Sequence, residues 1–354
     1  MTFETYFART RKSLQDDLTA FMASKRGDVA RLRPWGPDAL RRLTAFTRKG
    51  KMIRGGLVAL GSEMAGGRAG RAADRAGAAF ELIQSGLLIH DDIIDRDPRR
   101  RGGPSIHEQY ARLAPSPGGD AAGHFGTNLA VCAGDIAIFL AFEAMAGLAG
   151  PPERAAAVQK LFAAEFGLVG LGQMLDVEAG ASRKSLPNRR ILEIYRYKTA
   201  RYSFYLPLAA GWILGGGPGR VLPSLERLGE DLGLVFQIKD DELGLYGKPA
   251  ATGKPVGSDI REGKRTLYAA EIFSRASGAD MDRFASVFGQ AAATEAEIGF
   301  VRDLAARLGA REDVRQIMVR LGRRADRGIR ALPIRAGHRE LLLGLLGYLL
   351  SRRS

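Results

Sequence analysis

The sequence of 354 residues contains one cysteine and only four histidines. The single cysteine, Cys132, excludes an internal disulfide and is typical of proteins in a reducing compartment, so we expect a cytoplasmic protein. The paired cysteine and histidine spacings that would hold zinc are also missing. The sequence therefore predicts neither a disulfide framework nor a zinc-stabilised fold.

Long apolar runs and linkers are missing as well. No apolar run approaches the ~20 residues that cross a membrane, and the longest, Leu341–Leu350, is interrupted by Gly344 and Gly347. The first residues lack the apolar core of a signal peptide, so we expect none. No glycine-rich or serine-rich linker divides the chain, and we predict a single domain over residues 1–354.

Helical periodicity fills most of the chain. The alternating patterns of strands are nearly absent, and no Asn-Gly or Asp-Gly hairpin turn occurs. Apolar residues recur at threes and fours over the segments Arg71–Ile94, Thr127–Gly147, Pro152–Glu178, Leu186–Leu214, Leu222–Tyr246 and Lys264–Arg275. This pattern predicts an all-α fold, a single-domain helical bundle around a central active-site cavity lined by side chains of facing helices.

Positive charge is in excess, with a net charge of +14. Such a charge fits a nucleic-acid-binding protein, but no zinc-ligand spacing, aromatic-rich strand or recognition helix accompanies it. Small anionic ligands and peripheral contact with an anionic membrane surface would also account for part of it, and the rest fits the arginine and glycine bias of the composition. We predict no nucleic-acid partner, and nucleic-acid binding remains the non-enzyme alternative.

Three aspartates interrupt an apolar helical segment, Glu81–Asp95. Asp91 and Asp95 are four residues apart and share one face of a helix, with Asp92 one position round. Like charges at this spacing repel, and carboxylates are costly to bury beside apolar neighbours. Mg²⁺ would neutralise them, because carboxylates typically hold it in part while phosphate oxygens complete its shell. The segment therefore predicts a metal site.

A second acidic pair, Asp240 and Asp241, interrupts a later apolar segment and shares a face with Gln237. A lone acidic cluster would indicate an exposed helix face. Two clusters, each followed by basic residues next to glycine, favour a metal–diphosphate site, because arginine and lysine bind phosphate oxygens and glycine lets the backbone approach them. The basic clusters are Lys49–Arg54, Arg99–Gly103, Gly253–Lys254 and Gly263–Thr266.

In this order and spacing, the motifs resemble the trans-type polyprenyl diphosphate synthases, closest to members like geranylgeranyl diphosphate synthase. Gly50-Lys51-x-x-Arg54 is similar to the family's clamp for isopentenyl diphosphate. His90-Asp91-Asp92-x-x-Asp95, followed by Arg100-Arg101-Gly102, is similar to its first aspartate-rich motif. The later motifs are Gly172-Gln173-x-x-Asp176, Lys198-Thr199, Phe236-Gln237-x-x-Asp240-Asp241, Thr252-Gly253-Lys254 and Gly263-Lys264-Arg265-Thr266.

Two positions depart from the family pattern. Gly244 stands where the second motif usually closes with a third aspartate. Gln84 stands where many short-chain members carry histidine. Glutamine can still donate a hydrogen bond to a diphosphate oxygen but adds no charge.

The resemblance implies an isoprenoid synthase-type fold and an enzyme, a prenyltransferase that forms homodimers. It would condense isopentenyl diphosphate head to tail with an allylic diphosphate (dimethylallyl, geranyl or farnesyl). The implied cofactor is Mg²⁺, three ions per active site, on Asp91, Asp92, Asp95, Asp240 and Asp241. The implied catalytic residues are Lys198, Thr199, Gln237, Arg100 and Lys264. The implied substrate-binding residues are Lys51, Arg54, Gln84, Arg100, Arg101, Lys198, Thr199, Gln237, Lys254 and Lys264.

Product length is predicted from the helix that carries the first motif. Gly86, Ile83 and Phe80 precede Asp91 by five, eight and eleven residues, and each step descends about 4.5 Å below the metal site. Gly86 offers no floor to a growing chain, whereas Ile83 and Phe80 are bulky. We therefore predict geranylgeranyl diphosphate, with geranylfarnesyl diphosphate next. Plain helix packing is the other interpretation, and a facing helix would close the tunnel earlier at Ile136, Phe139 and Leu140.

Two other interpretations keep an isoprenoid protein. A class I terpene cyclase also uses an aspartate-rich magnesium site, but it would not need the second diphosphate clamp at Lys51, Arg54 and Arg101. A non-catalytic subunit of a heteromeric prenyl synthase would have lost aspartates, and only Gly244 points that way.

Overall fold

The protein is described from a computed structural model, which covers residues 1–67, 70–116, 118–182, 185–247 and 256–352. The chain over these ranges is helical almost throughout, so the all-α prediction is confirmed. The first helices are α1 (Phe3–Ser24), α2 (Arg26–Val29), α3 (Trp35–Arg48), α4 (Ile53–Met64) and α5 (Arg71–Ile94). An antiparallel hairpin of β1 (Arg99–Arg100) and β2 (Gly103–Pro104) follows.

The next helices are α6 (Ile106–Ala111), α7 (Gly119–Ala146), α8 (Pro152–Ala181) and α9 (Asn188–Tyr195). Then come a π-helix (Arg196–Tyr205), α10 (Leu206–Leu214), a 3₁₀ turn (Gly219–Val221) and α11 (Leu222–Tyr246). The last helices are α12 (Ser258–Arg261), α13 (Leu267–Arg275), α14 (Gly278–Val287), α15 (Glu295–Arg307), α16 (Ala310–Ala331) and α17 (Ala336–Ser351).

The first of two compact units consists of Met1–Leu161 and Pro207–Gly219. Its central helix is α5, which packs along α7 and contacts α1 and α4. Glycines allow the closest approaches: a Cβ on Gly86 of α5 would lie 2.8 Å from the Gly134 carbonyl oxygen of α7. This close packing fixes the end of α5, where Asp91 and Asp95 lie.

The second unit consists of Phe162–Leu206 and Arg220–Ser354. Its central helix is α11, which packs against the π-helix, α16 and α17. A Cβ on Gly229 would lie 2.4 Å from Tyr205 Cα, and one on Gly233 would lie 2.3 Å from Ala200 Cα. Positions 229, 233, 237 and 241 follow at four-residue spacing, so the glycine face of α11 continues into Gln237 and Asp241. The single-domain organisation stays a prediction.

Several predicted helix boundaries differ from the observed ones, one being the end of α8, which lies at Ala181 rather than Glu178. Helix α7 begins at Gly119 rather than Thr127, because Gly118 and Gly119 adopt positive φ (91° and 69°) and turn the chain directly into the helix. Helix α13 begins at Leu267 rather than Lys264, because the hydroxyl of Thr266 accepts a hydrogen bond from the Ala269 amide and caps the helix there.

Helices α7 and α8 are long and apolar enough to cross a membrane, judged by length and composition over the described residues. This differs from the expectation based on uninterrupted apolar runs, because alanine and glycine supply much of their apolar character. The evidence is weak, since helices packed inside globular proteins meet the same criterion.

Candidate active site

The first three aspartates lie at the C-terminal end of α5. Asp95 is the cap residue, and its amide donates to the Asp91 carbonyl oxygen at 2.8 Å. A helix C-terminus carries partial negative charge, so carboxylates there need cations to neutralise them. The last turn of α5 has no basic residue. The cations must come from another segment.

Arg100, on β1, supplies one such cation. Its Nε donates to Asp92 Oδ1 at 2.5 Å, and its Nη2 lies 3.0 Å from Asp97 Oδ2 and 3.5 Å from Asp91 Oδ2. Burial lowers the pKa of Arg100, but the charge of Asp92 and the hydrogen bond to it raise it above its ordinary value. Asp92 is fully buried in this ion pair. The structure therefore places Asp92, a predicted metal ligand, against Arg100 and not on the partly exposed face of α5 that carries Asp91 and Asp95.

Asp91 and Asp95 remain partly exposed on one face of α5. Over the part of the chain that the structure describes, no three His, Cys, Asp or Glu side chains are already grouped for a metal ion. Mg²⁺ does not require such a group, since it is typically held by one or two carboxylates together with substrate phosphates. Two hard carboxylates one turn apart fit Mg²⁺ in this way.

Arg101 occupies the turn of the hairpin. Arg101 and Gly102 have φ of 53° and 74°, the left-handed pair of a tight two-residue hairpin loop. The guanidinium donates to the Phe46 carbonyl oxygen and lies 4.6 Å from the centroid of the Phe46 ring. Its Nη2 lies 3.2 Å from where a Cβ of Gly50 would be, so the absent side chain makes room for it. Burial lowers the pKa of Arg101 to about 10, which leaves it charged at neutral pH.

Arg54 and Lys51 flank the start of α4. Met52, between them, is buried with a left-handed φ of 55°, a conformation that is unfavourable for a non-glycine residue and often occurs at functional sites. Arg54 lies close enough to Arg101 to lower its pKa by charge repulsion. Of the predicted isopentenyl diphosphate residues, the structure thus brings Arg54, Arg101 and the Gly50-Lys51 turn together.

Two polar side chains of α5, Glu81 and Gln84, are buried, and Glu81 lies next to this basic cluster. Glu81 accepts a hydrogen bond from the Gly55 amide at 3.0 Å, in the first turn of α4, and its charge raises the pKa of Arg101. Gln84 is 6% exposed, and its Oε1 has no hydrogen-bond partner among the described residues. A buried polar atom in this state fits a side chain that contacts a ligand.

The predicted chain-length role of Gly86, Ile83 and Phe80 stays a prediction, and the structure shows how Gly86 packs. A Cβ at this position would lie 2.8 Å from both the Gly134 carbonyl oxygen and Ile138 Cγ1, so Gly86 is a helix-packing residue. Ile83 and Phe80 are buried. By helix geometry Ile83 lies about 80° round α5 from Asp91, and Phe80 about 20°. The half-buried neighbours below Asp91 on its own face are Leu87 and Leu88, three and four residues earlier. Phe139, the proposed alternative floor, is 71% exposed.

The π-helix carries Lys198 and Thr199. The guanidinium of Arg201 holds it to other helices, with hydrogen bonds of 2.7–2.9 Å to Glu165, Glu226 and Glu230. A Cβ on Gly172 would lie 2.6 Å from the Lys198 amide nitrogen, so α8 approaches closely. One turn along α8, Asp176 Oδ2 lies 2.5 Å from Lys198 Nζ. This contact explains the spacing of the Gly172-Gln173-x-x-Asp176 motif.

Asp241 is buried and takes its hydrogen bonds from neighbouring side chains. Gln237 Nε2 donates to its Oδ1 at 2.9 Å, and the Tyr195 hydroxyl donates to its Oδ2. Burial raises the pKa of Asp241 well above its ordinary value, and the charge of Asp259 raises it further. Asp241 is therefore placed to support the second motif rather than to face solvent.

Asp240, in contrast, has a half-exposed side chain (51%). Its Oδ1 accepts a hydrogen bond of 2.5 Å from Arg352, which also donates to the Phe236 carbonyl oxygen and lies over the Phe236 ring. Arg352 is buried. Of the two aspartates in this motif, Asp240 thus has the more exposed carboxylate.

The segment after α11 holds the remaining predicted residues. Lys264 lies 2.8 Å from Glu262, whereas Arg265 is buried against the Phe273 ring at 4.1 Å. A Cβ on Gly244 would lie 2.7 Å from Asp259 Oδ2. The carboxylate of Asp259 therefore lies next to position 244, where the family usually has a third aspartate. The predicted binding residue Lys254, with Thr252 and Gly253, lies outside the described residues.

Comparison with known families decides the assignment. The family model described as polyprenyl synthetase matches residues 39–304. The chain belongs to this family. The polyprenyl synthetase model covers all the motifs singled out above. The predicted resemblance is confirmed.

Named relatives and solved structures agree with this membership. The chain is 36% identical over 255 residues to a short chain isoprenyl diphosphate synthase of Methanothermobacter thermautotrophicus, covering 72% of this chain and 73% of that protein. It is 33% identical over 269 residues to a geranylgeranyl diphosphate synthase of Sulfolobus acidocaldarius, covering 75% and 73%. The fold matches that of geranylgeranyl pyrophosphate synthase from Corynebacterium glutamicum, complexed with isoprenyl diphosphate and magnesium, with a TM-score of 0.91 and 29% identity over 98% and 99% of the two chains.

Sequence reasoning missed three polar residues of this polyprenyl synthetase. Glu81 carries a signal, since it is a charge inside an apolar helical stretch. Nothing in the surroundings of Tyr195 along the chain indicates a partner. Arg352 is one of many arginines in the chain, and its contact with Asp240 spans 112 positions. Only the fold could reveal the last two contacts.

Proposed function

We propose that the chain condenses isopentenyl diphosphate head to tail with an allylic diphosphate, with geranylgeranyl diphosphate as the product. The observation that carries the proposal is the pair of separate sites in the first unit. One is the carboxylate face of Asp91 and Asp95, and the other is the basic cluster at Arg54 and Arg101. The names of the relatives support the same reaction.

In the first unit, Asp91 and Asp95 would hold Mg²⁺ on the half-exposed face of α5. When bound, the metal would neutralise the charge that develops on the leaving diphosphate as its carbon–oxygen bond breaks. Arg100 pairs with Asp92 and so neutralises one of the negative charges next to Asp91.

In the second unit, Asp240 would hold Mg²⁺, and Lys198 and Lys264 would bind diphosphate oxygens. Gln237 uses its amide nitrogen on Asp241, so its carbonyl oxygen is the end that can stabilise an allylic cation. Thr199, one residue after Lys198 in the π-helix, offers a hydroxyl oxygen for the same purpose. Neutral oxygens stabilise a cation without forming a bond to it as readily as an anionic nucleophile would.

Isopentenyl diphosphate would bind to Arg54, Arg101 and Lys51, with Gln84 as a hydrogen-bonding group. Burial makes the Arg101 contact strong, since charges attract more strongly where water is excluded. Glu81 limits the repulsion among these cations before the substrate arrives.

The direct test is a product assay. The purified chain is incubated with labelled isopentenyl diphosphate, Mg²⁺ and each allylic primer in turn, and the products are separated by chain length. A twenty-carbon product supports the proposal, and a twenty-five-carbon product changes only the length. Cyclised hydrocarbons would show a terpene cyclase, and the absence of any prenyl transfer would contradict the reaction.

Arg54→Ala is expected to raise the Michaelis constant for isopentenyl diphosphate about ten- to hundredfold, since a hydrogen bond to a charged group contributes about 1.5–3 kcal/mol. The constant for the allylic primer should change less than about threefold, because that substrate would bind at the aspartates and not at Arg54. Arg48→Ala, which removes an exposed arginine of α3, is the matched control and should leave both constants unchanged. Equal effects on both substrates would show that the two sites are not separate.

We also propose that the chain forms a homodimer through the exposed apolar face of α7. Val131, Ile136, Phe139 and Phe142 are 38–71% exposed on this helix, a concentration that usually marks an interaction surface. On α8, Leu171, Met174 and Val177 are exposed in the same way. A cytoplasmic location and contact with an anionic membrane stay predictions.

Phe139→Asp is expected to weaken the dimer at least tenfold, because burying one phenylalanine side chain contributes about 1.5–3 kcal/mol. Light scattering over a dilution series measures the mass. Leu113→Asp is the matched control, since Leu113 is a large exposed apolar residue outside α7. A Phe139→Asp variant with the parent's mass and dissociation constant would exclude this face, and a parent that is monomeric but binds lipid vesicles would assign the face to membrane.

A further inference from the structure

A buried tyrosine hydroxyl links three segments of the second unit. Tyr195 is the last residue of α9 and is 7% exposed. Its hydroxyl donates to Asp241 Oδ2 on α11 and accepts a hydrogen bond of 3.2 Å from the Leu267 amide, the first residue of α13. One oxygen atom therefore joins α9, α11 and α13.

Each of these segments continues directly into proposed site residues. The π-helix that carries Lys198 and Thr199 follows Tyr195 at once. Asp241 is the neighbour of Asp240 on α11. Lys264 stands three residues before Leu267 and its amide donates to the Asp259 carbonyl oxygen at 2.8 Å. The Tyr195 hydroxyl thus connects the three segments that carry Lys198, Asp241 and Lys264.

The hydroxyl, rather than the aromatic ring, makes these contacts. A phenyl ring at position 195 would fill the same volume, but it would leave Asp241 with one fewer donor and the Leu267 amide with no acceptor from this side chain. Among the described residues, Gln237 would then be the remaining side-chain donor to the buried Asp241 carboxylate, through Oδ1. Side-chain geometry at such a site depends on the residues that hold the groups in place.

We propose that Tyr195 is a positioning residue whose hydroxyl fixes the second aspartate motif relative to the Lys198 and Lys264 segments. The inference rests on the proposed function, because it concerns the site that would bind Mg²⁺ and diphosphate in the second unit. Tyr195 itself touches no reacting atom. Its effect reaches the reaction through Asp241 and through the start of α13.

Tyr195→Phe is the variant that tests this. Turnover at saturating substrates should fall about ten- to hundredfold, the range that loss of a hydrogen bond to a charged group produces, and half-maximal activity should require more Mg²⁺. The Michaelis constant for isopentenyl diphosphate should stay unchanged, because that substrate binds on the first unit. A binding measurement gives an independent readout: Mg²⁺ with inorganic pyrophosphate should raise the melting temperature of the parent more than that of the variant.

Tyr205→Phe is the matched control. Tyr205 is also a buried tyrosine of the second unit, with its ring 5.1 Å from the Arg201 guanidinium, and its change should affect neither turnover nor the melting response. In a double-mutant cycle with Asp241→Ala, Tyr195→Phe should add little to the loss of melting response, because the contact it breaks is already gone.

The outcomes separate the two ideas. A parent that transfers no prenyl group contradicts the proposed function, whatever Tyr195 does. An active parent with a Tyr195→Phe variant that keeps the parent's turnover and melting response overturns the positioning role. If the variant does not fold, hydrogen exchange on the parent decides: Mg²⁺ with pyrophosphate should protect residues 190–200, 236–246 and 264–270 together, and an unchanged exchange pattern in these segments overturns the inference.

Discussion

Asp91→Ala is expected to lower turnover about a thousandfold and to leave the helix content unchanged. Removing this carboxylate takes away one of two ligands for Mg²⁺ on the open face of α5, and ~4 kcal/mol of lost charge stabilisation corresponds to about a thousandfold in rate. The fold should survive, because Asp91 lies at the partly exposed end of α5 and not in its packed centre. Rapid-quench or steady-state assays with saturating Mg²⁺ measure the effect.

Asp16→Ala, which removes an exposed carboxylate from α1, is the control for the charge change and should keep full activity. Both variants lose one negative charge, so a difference in their turnover would come from the position of the carboxylate and not from the net charge. Near-parent turnover of Asp91→Ala with Mg²⁺ present would exclude Asp91 as a metal ligand and, with it, the proposed carboxylate face.

Gly86→Phe is expected to unfold the first unit or to lower its stability by at least ~3 kcal/mol, the upper end of ordinary overpacking. A Cβ at this position already meets the backbone of α7 at 2.8 Å, and a backbone atom cannot move away as a flexible side-chain end can. Thermal melting followed by circular dichroism measures the loss.

Leu87→Phe, one residue further along the same helix, makes the matched comparison. Leu87 is half-buried on the face of Asp91, so this variant should fold and should shift the product towards a shorter chain. A folded Gly86→Phe variant with a shortened product would show that position 86 limits the chain length. Parent-length product from a folded Leu87→Phe variant would place the determinant of chain length elsewhere.

Spacing within one helix could be read from the sequence with success. The shared face of Asp91 and Asp95 and the all-α fold follow from periodicities of three and four residues. The family assignment came from the order of motifs. These features are local, and local geometry is set by the helix itself.

The features that the sequence does not display depend on a second helix or on a segment distant along the chain. Gly86 offers empty volume in the sequence, but α7 fills that volume. Steps of three residues drift by about 60° round a helix, so Gly86 and Ile83 lie about 140° and 80° from Asp91, whereas Phe80 returns to within about 20° of it. Asp92 resembles its neighbours in sequence, and only the return of the hairpin with Arg100 distinguishes it. Which side chain meets which partner is decided by packing that one sequence does not display.

The ten-residue π-helix has a consequence for the length of this segment. Each π turn contains an extra residue relative to an α turn, and such turns commonly interrupt α-helices at functional sites. Here α9 and α10 continue on either side without a break in the chain. Deleting one residue between 196 and 205 would favour ordinary α-helix and rotate one flank by about 100° relative to the other. Lys198 and the glycine-lined contact at Ala200 would then no longer face their present neighbours. The segment can therefore accept conservative substitutions but not the loss of a residue, because the helices on both sides fix its length.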